Sequence, residues 1–166
     1  KFLFLQPSEA LLGLRNEEFD LAVIEHRLDL DFTGFDRFAL PDDEMLVVAA
    51  ASASIPNVDG VMQLEELKRC RLFARRDGCS SKELMRKNLE ANGADFSDFD
   101  GFIVSDDWTF TIQSVLQGDG IAYLSGALVD SHLESGELVG LHVDGFGHSR
   151  GRSVLMLPQR GEDALL

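Results

Sequence analysis

Between Ser105 and Val129 the chain runs through a polar cap, an amphipathic stretch, a Gly-Asp-Gly corner and an apolar strand, an order that few folds accept. Ser105, Asp106 and Asp107 offer side-chain oxygens that can cap a helix. Ile112, Val115 and Leu116 recur at helical spacing, and Gly118 stands where a left-handed C-terminal cap belongs. Gly120 then opens Ile121-Ala122-Tyr123-Leu124, an apolar run of the kind buried on both faces of a sheet. A further helical pattern covers Gly126 to Leu133. Helix, strand, helix is half of an α/β domain, and ligands sit in the loops around such units.

A chain of 166 residues suits one domain or two small lobes. No apolar run is long enough to span a bilayer, and no cleavage signature follows the first residues, which reads as an internal fragment and not a secretory precursor. Acidic residues outnumber basic ones, 29 to 15, for a formal charge of -14. Such a surface repels phosphate backbones, so this stretch is not expected to grip nucleic acid. Cys70 and Cys79 make no disulfide framework and fit a reducing, cytoplasmic setting.

The rest of the chain alternates strand and helix patterns. Phe2–Leu5 reads as a strand, Pro7 opens a helix with Ala10, Leu11 and Leu14 as its stripe, and Asp20–Ile24 is a buried strand ended by Glu25-His26-Arg27. Phe35–Leu40 reads as extended up to Pro41, and Met45–Ala50 as a separate strand. Leu64, Leu67 and Lys68 suggest a helical turn or two, and Arg71–Ala74 a strand. A helix from Lys82 to Ala91 carries Leu84, Met85 and Leu89 inward and stops at Gly93. Strands follow at Phe102–Val104, Gly136–Val143 and Arg152–Leu157.

Three matches carry a family resemblance: Glu18-Phe19-Asp20-Leu21-Ala22-Val23, the Arg75–Leu84 run holding Gly78-Cys79-Ser80-Ser81, and Val115 to Leu124 around Gly118-Asp119-Gly120. Leu40-Pro41-Asp42-Asp43 and Gly136-Glu137-Leu138-Val139 agree in the same order. Together they resemble the effector-binding domain of LysR-type transcriptional regulators. The resemblance implies an α/β fold of the type II periplasmic-binding-protein kind, with two lobes, a hinge of two chain crossings and a ligand cleft. Lobe I is expected at residues 1–74 plus 146–166 and lobe II at 75–145. The family's winged helix-turn-helix and the first strand and helix of its effector domain are not in the sequence, and Ser125 stands where the family has a proline. On that topology a central strand is missing between Lys1–Leu5 and Asp20–Ile24.

By position, Glu25 and His26 would face the cleft from one lobe, and Asp77, Cys79, Ser80 and Ser81 from the other, with Asp107, Trp108 and Thr109 at the next helix start. The Gly-Cys-Ser-Ser turn gathers N–H groups and hydroxyls suited to a carboxylate or other small anion, although Ser80 or Ser81 serving as a cap explains the same residues. Trp108 could wall a pocket or pack a lobe, and Glu25 could equally be a solvated loop residue. Arg75 and Arg76 could hold an anionic effector or neutralise acidic neighbours. Cys79 near Arg75, Arg76 and Lys82 has the surroundings of a low-pKa thiol, without an evident resolving partner. His142, Asp144 and His148 only loosely match metal spacing, so neither a metal nor a cofactor is expected. No Gly-x-Ser-x-Gly elbow, phosphate loop or His-Glu-x-x-His is present, which argues against an enzyme. The expectation is a cytoplasmic ligand-sensing module acting as a homodimer or homotetramer, with DNA read by a preceding domain. The competing expectation is the solute-binding protein of a transporter.

Overall fold

The computed structural model describes Leu3 and residues 5–158. Among them α1 (Pro7–Arg15) leads to β1 (Ala22–His26) and β2 (Asp36–Ala50), followed by β3 (Val61–Met62), α2 (Leu64–Lys68) and β4 (Arg71–Ala74). Then come α3 (Ser80–Ala91), a 3-10 turn at Phe96–Asp98, β5 (Gly101–Val104), α4 (Trp108–Leu116), β6 (Ile121–Ser125), α5 (Gly126–Glu134), β7 (Leu138–Val143) and β8 (Ser149–Met156). No helix among the described residues is long and apolar enough to cross a membrane. The strand expected at Phe2–Leu5 lies largely outside the described residues; Leu3 and Leu5 are exposed and belong to no strand.

The strands make one open sheet in two parts that share β2. In the first part β8 lies antiparallel between β1 and the N-terminal half of β2. α1 covers one face of it through Ala10 and Leu14, which meet Ala22, Ile24, Phe32 and Leu155. In the second part the C-terminal half of β2 sits antiparallel between β6 and β7, and β4 and β5 extend the sheet in parallel beyond β6. Alternation along β2 then sorts the core. Met45, Val47 and Ala49 face the cluster built with Met62, Leu67, Leu84, Met85 and Leu89, while Leu46 and Val48 face the one built with Val115, Leu124 and Val129.

This arrangement corrects one expectation. Phe35–Leu40 and Met45–Ala50 are one strand of 15 residues, not two segments. The ladder slips between Leu40, opposite Arg152, and Asp43, opposite Arg150, which leaves Pro41 and Asp42 in a bulge across from Gly151. A proline needs no ladder partner in a bulge, so Pro41 does not end the strand. Met45, Met62, Leu67 and Leu72 belong to the core that α3 covers, so residues 45–148 form one part, and residues up to about 44 with Ser149–Pro158 form the other.

The organising stretch folds as its pattern predicts. Asp107 caps α4 by accepting from the Phe110 amide at 3.1 Å. Gly118 takes a left-handed φ of 81°, which a residue with a Cβ rarely adopts, and turns the chain into β6. β6 is buried along Ile121–Leu124 and pairs parallel to β4 and antiparallel to β2. α3 begins at Ser80, two residues before the expected Lys82, with Cys79 as its N-cap residue.

Candidate functional site

Two chain passages join the parts: β2 through Asp43–Met45, and the Asp144–His148 loop between β7 and β8. The loop is fastened to the second part. Asn88 exchanges hydrogen bonds with both backbone groups of Gly147, and the Tyr123 hydroxyl donates to the Gly147 carbonyl at 3.1 Å. His148 Nδ1 lies 2.7 Å from the Met45 carbonyl, and its Nε2 accepts from the Val143 amide at 2.9 Å. That pair of bonds fixes the neutral tautomer with the proton on Nδ1. Burial, more than the neighbouring His142, holds the His148 pKa below its ordinary value.

Where β8 leaves this loop, Arg150 sits 6% exposed at the meeting of three elements. Its Nε and Nη2 both reach Asp43 Oδ2, at 2.7 and 2.6 Å. Its Nη1 donates to Ser80 Oγ at 2.9 Å and pairs with Glu25 Oε2 at 2.7 Å. Asp43 is itself buried and accepts a 2.6 Å bond from Ser125 Oγ. Glu25, Asp43, Ser80, Ser125 and Arg150 thus form one polar hub that draws β1, β2, β6, β8 and the start of α3 together. Glu25 and Ser80 were expected from the sequence; Arg150, Asp43 and Ser125 were not singled out. The serine at the position where a proline was anticipated is the signal that could have exposed the hub, since it supplies a donor that proline lacks.

The other expected residues divide between two neighbouring turns and the core. Asp77, Cys79 and Ser81 share the turn into α3 with Ser80. Neither serine caps the helix: Ser81 Oγ lies 3.4 Å from Cys79 Sγ, and Ser80 is committed to Arg150. Asp77 pairs with Lys82 at 2.9 Å and Arg86 at 2.8 Å, and the hydrogen bond from Lys82 holds its carboxyl below the usual carboxylate range. Buried Lys82 also faces the Phe96 and Phe102 rings, at 5.5 and 5.2 Å. Asp107, Trp108 and Thr109 lie on the adjoining turn, because Ala74 and Val104 are register partners at the parallel ends of β4 and β5. Arg75 and Arg76 both pair with Asp106 there, and the Arg75 guanidinium stacks over Trp108 at 4.3 Å. These arginines neutralise a carboxylate of this chain, and Trp108 packs against the cluster under α4. Thr109 is exposed.

His26 turns away from the expected cleft. The residue is 1% exposed, its ring packs edge-on against Phe32 at 4.6 Å, and Nε2 is hydrogen-bonded to Ser153 Oγ at 2.9 Å. Strand alternation explains this, since His26 shares the parity of the buried Ala22 and Ile24. Gly151 makes room for the ring: a Cβ there would lie 2.4 Å from His26 Cε1.

Beside the α3 start the chain encloses little space. A void lined by Ser81, Lys82, Phe96 and Tyr123 measures about 10 Å³, room for one water. A broader hollow of about 360 Å³ opens at the crossing, lined by Asp42, Glu44, His142, His148 and Ser149, none of them an expected effector contact. Its imidazoles are engaged, His142 with Glu44 at 3.0 Å and His148 with the backbone. Among the described residues no trio of His, Cys, Asp or Glu is placed to hold a metal. Cys70 and Cys79 are both free thiols, and burial pushes the Cys70 thiol up.

The family model for the LysR substrate binding domain matches residues 3–166. The chain belongs to that family. Its fold is the mixed α/β open sheet of regulatory domains from LysR-type regulators. The apo regulatory domain of HypT from Salmonella typhimurium superimposes with a TM-score of 0.72 at 19% identity, covering 98% of this chain and 81% of that one. The reduced OxyR2 regulatory domain from Vibrio vulnificus gives 0.73 at 17% identity, covering 96% and 72%. The MetR regulatory domain from N. meningitidis gives 0.72 at 18% identity, covering 93% and 68%. Against full-length HypT the LysR domain described here covers 97% of itself and 54% of the other chain. A comparison with curated protein sequences finds no match. The family match favours a regulator over the solute-binding protein of a transporter.

Proposed function

We propose that this LysR domain senses a small anionic effector where the end of β1, the α3 turn and Arg150 meet, and that the effector sets the angle between the two parts. The observation that carries this reading is the Arg150 hub: a buried cation whose Nη1 reaches β1 of one part and α3 of the other. Contacts across the mouth are few and removable. Besides Ser80 with Arg150 they include Lys87 with Asp29 at 2.5 Å, both half-exposed, and the Gln6 side chain over Gly78. The β2 bulge at Pro41 and Asp42, across from Gly151, lies next to both passages, which suits rotation of the parts about that line. Related folds have been solved with bromide on HypT and sulfate on an OxyR2 variant, in keeping with an anionic ligand. The LysR domain would pass the change through self-association, as a dimer or tetramer in the cytoplasm, to a DNA-binding segment of the whole regulator.

A ligand shifts such an equilibrium only by binding the two arrangements unequally. A thermal-shift screen of organic acids, amino acids and inorganic anions on the wild type and on Ser80→Ala tests this. The expected result is a ligand that raises the melting temperature of the wild type and much less that of Ser80→Ala. Stabilisation by none of the acids, or equal stabilisation of both proteins, would overturn the reading.

A further inference from the structure

The acceptors around Arg150 are not equivalent. Asp43 is 4% exposed, receives Nε and Nη2, and is anchored again by Ser125. Glu25 has a side chain 48% exposed, sits on the outermost strand of its part, and reaches the hub only through its bond to Nη1. Freed from Arg150, its carboxylate would rotate into water at little cost; Asp43 has no such exit. Arg150 with Asp43 alone is a neutral pair that leaves Nη1 facing the position Glu25 occupies.

Resting on the sensing role proposed for this site, we propose that Glu25 is a tethered occupant of the effector position, and that a compact carboxylate ligand acts by displacing it from Arg150 Nη1. The exchange replaces one monovalent carboxylate by another, so the hub's charge is unchanged. A dianion would instead add charge beside Asp42, Asp43 and Glu44 in a chain of net charge -14. Loss of Glu25 from Nη1 frees the end of β1 from Arg150, while Asp43 and Ser80 keep Arg150 in place.

The test uses acetate as probe and sulfate as the dianion control, at constant ionic strength. The full chain is compared with Glu25→Gln and Glu25→Ala, and binding is followed by NMR of the arginine side-chain N–H signals. Removing a competitor held by a half-exposed ion pair should tighten acetate about two- to sixfold in Glu25→Ala and leave sulfate unchanged. Glu25→Gln keeps the side-chain shape and should fall between the two. Unaltered acetate affinity in Glu25→Ala, or an equal gain for sulfate, overturns the latch. If an acid still stabilises the wild type in a Ser80-dependent way, only the latch has failed; if no acid stabilises it, the sensing role has failed as well.

Discussion

Replacing Arg150 by methionine should be among the most damaging single substitutions outside the apolar core, and the structure sets the reason and the size. The side chain is 8% exposed and its removal strands three acceptors of different cost. Glu25 relaxes into solvent, and half-exposed ion pairs contribute only about 0.2–1 kcal/mol. Ser80 loses a bond to a charged donor, a contribution of about 1.5–3 kcal/mol. Asp43 dominates: a carboxylate 4% exposed keeps only the Ser125 hydroxyl, and breaking a buried pair from one side costs about 3–5 kcal/mol. Shared relaxation keeps these from adding in full, so Arg150→Met is expected to lose about 3–5 kcal/mol in urea unfolding, against under about 1 for Glu25→Gln. The pair Asp43→Asn with Arg150→Met should regain at least about 1 kcal/mol over Arg150→Met alone, because the stranded charge is gone. An Arg150→Met cost below about 1 kcal/mol, or a double variant no more stable than the single one, would show that the hub does not confine a buried charge.

Other consequences follow from single contacts. His148 is held neutral with its pKa lowered chiefly by burial, so its contribution to stability is present above the ordinary histidine value of 6.5 and is lost as pH falls through the lower folded value. Melting curves from neutral pH downward should fall accordingly, and more weakly in His148→Gln. Tyr123 is the chain's single tyrosine, and burial raises its pKa far above 10, so phenolate absorbance should appear only when alkali unfolds the protein. A normal titration near pH 10 in the native state would contradict the burial. Gly151→Ala forces a Cβ to within 2.4 Å of His26 Cε1 and should cost about 1–3 kcal/mol as the ring is pushed off Ser153, measured by urea unfolding. An unchanged midpoint would mean the ring has room to move.

Much of the second part was legible because its signals are local. The spacing of Ile112, Val115 and Leu116, the apolar Ile121–Leu124 run and the inward Leu84, Met85 and Leu89 each reappear where periodicity puts them. What escaped depends on residues far apart. Arg150 meets Asp43 across 107 positions and Ser80 across 70, and no local pattern announces either contact. Pro41 misled because a proline ordinarily interrupts a ladder, whereas here the register slip absorbs it. The burial of His26 could have been read, since Ala22, Ile24 and His26 share one face of a strand; its charge-capable ring drew attention to the cleft instead.

Sharing β2 between both parts has a consequence for how the molecule comes apart. The strand gives its first half to the β8 ladder and its second to β6 and β7, so neither part retains a complete sheet once the other dissolves. Melting should therefore be a single cooperative event. The proposed rotation at the bulge and the disassembly of the whole then depend on the same few residues, from Leu40 to Met45.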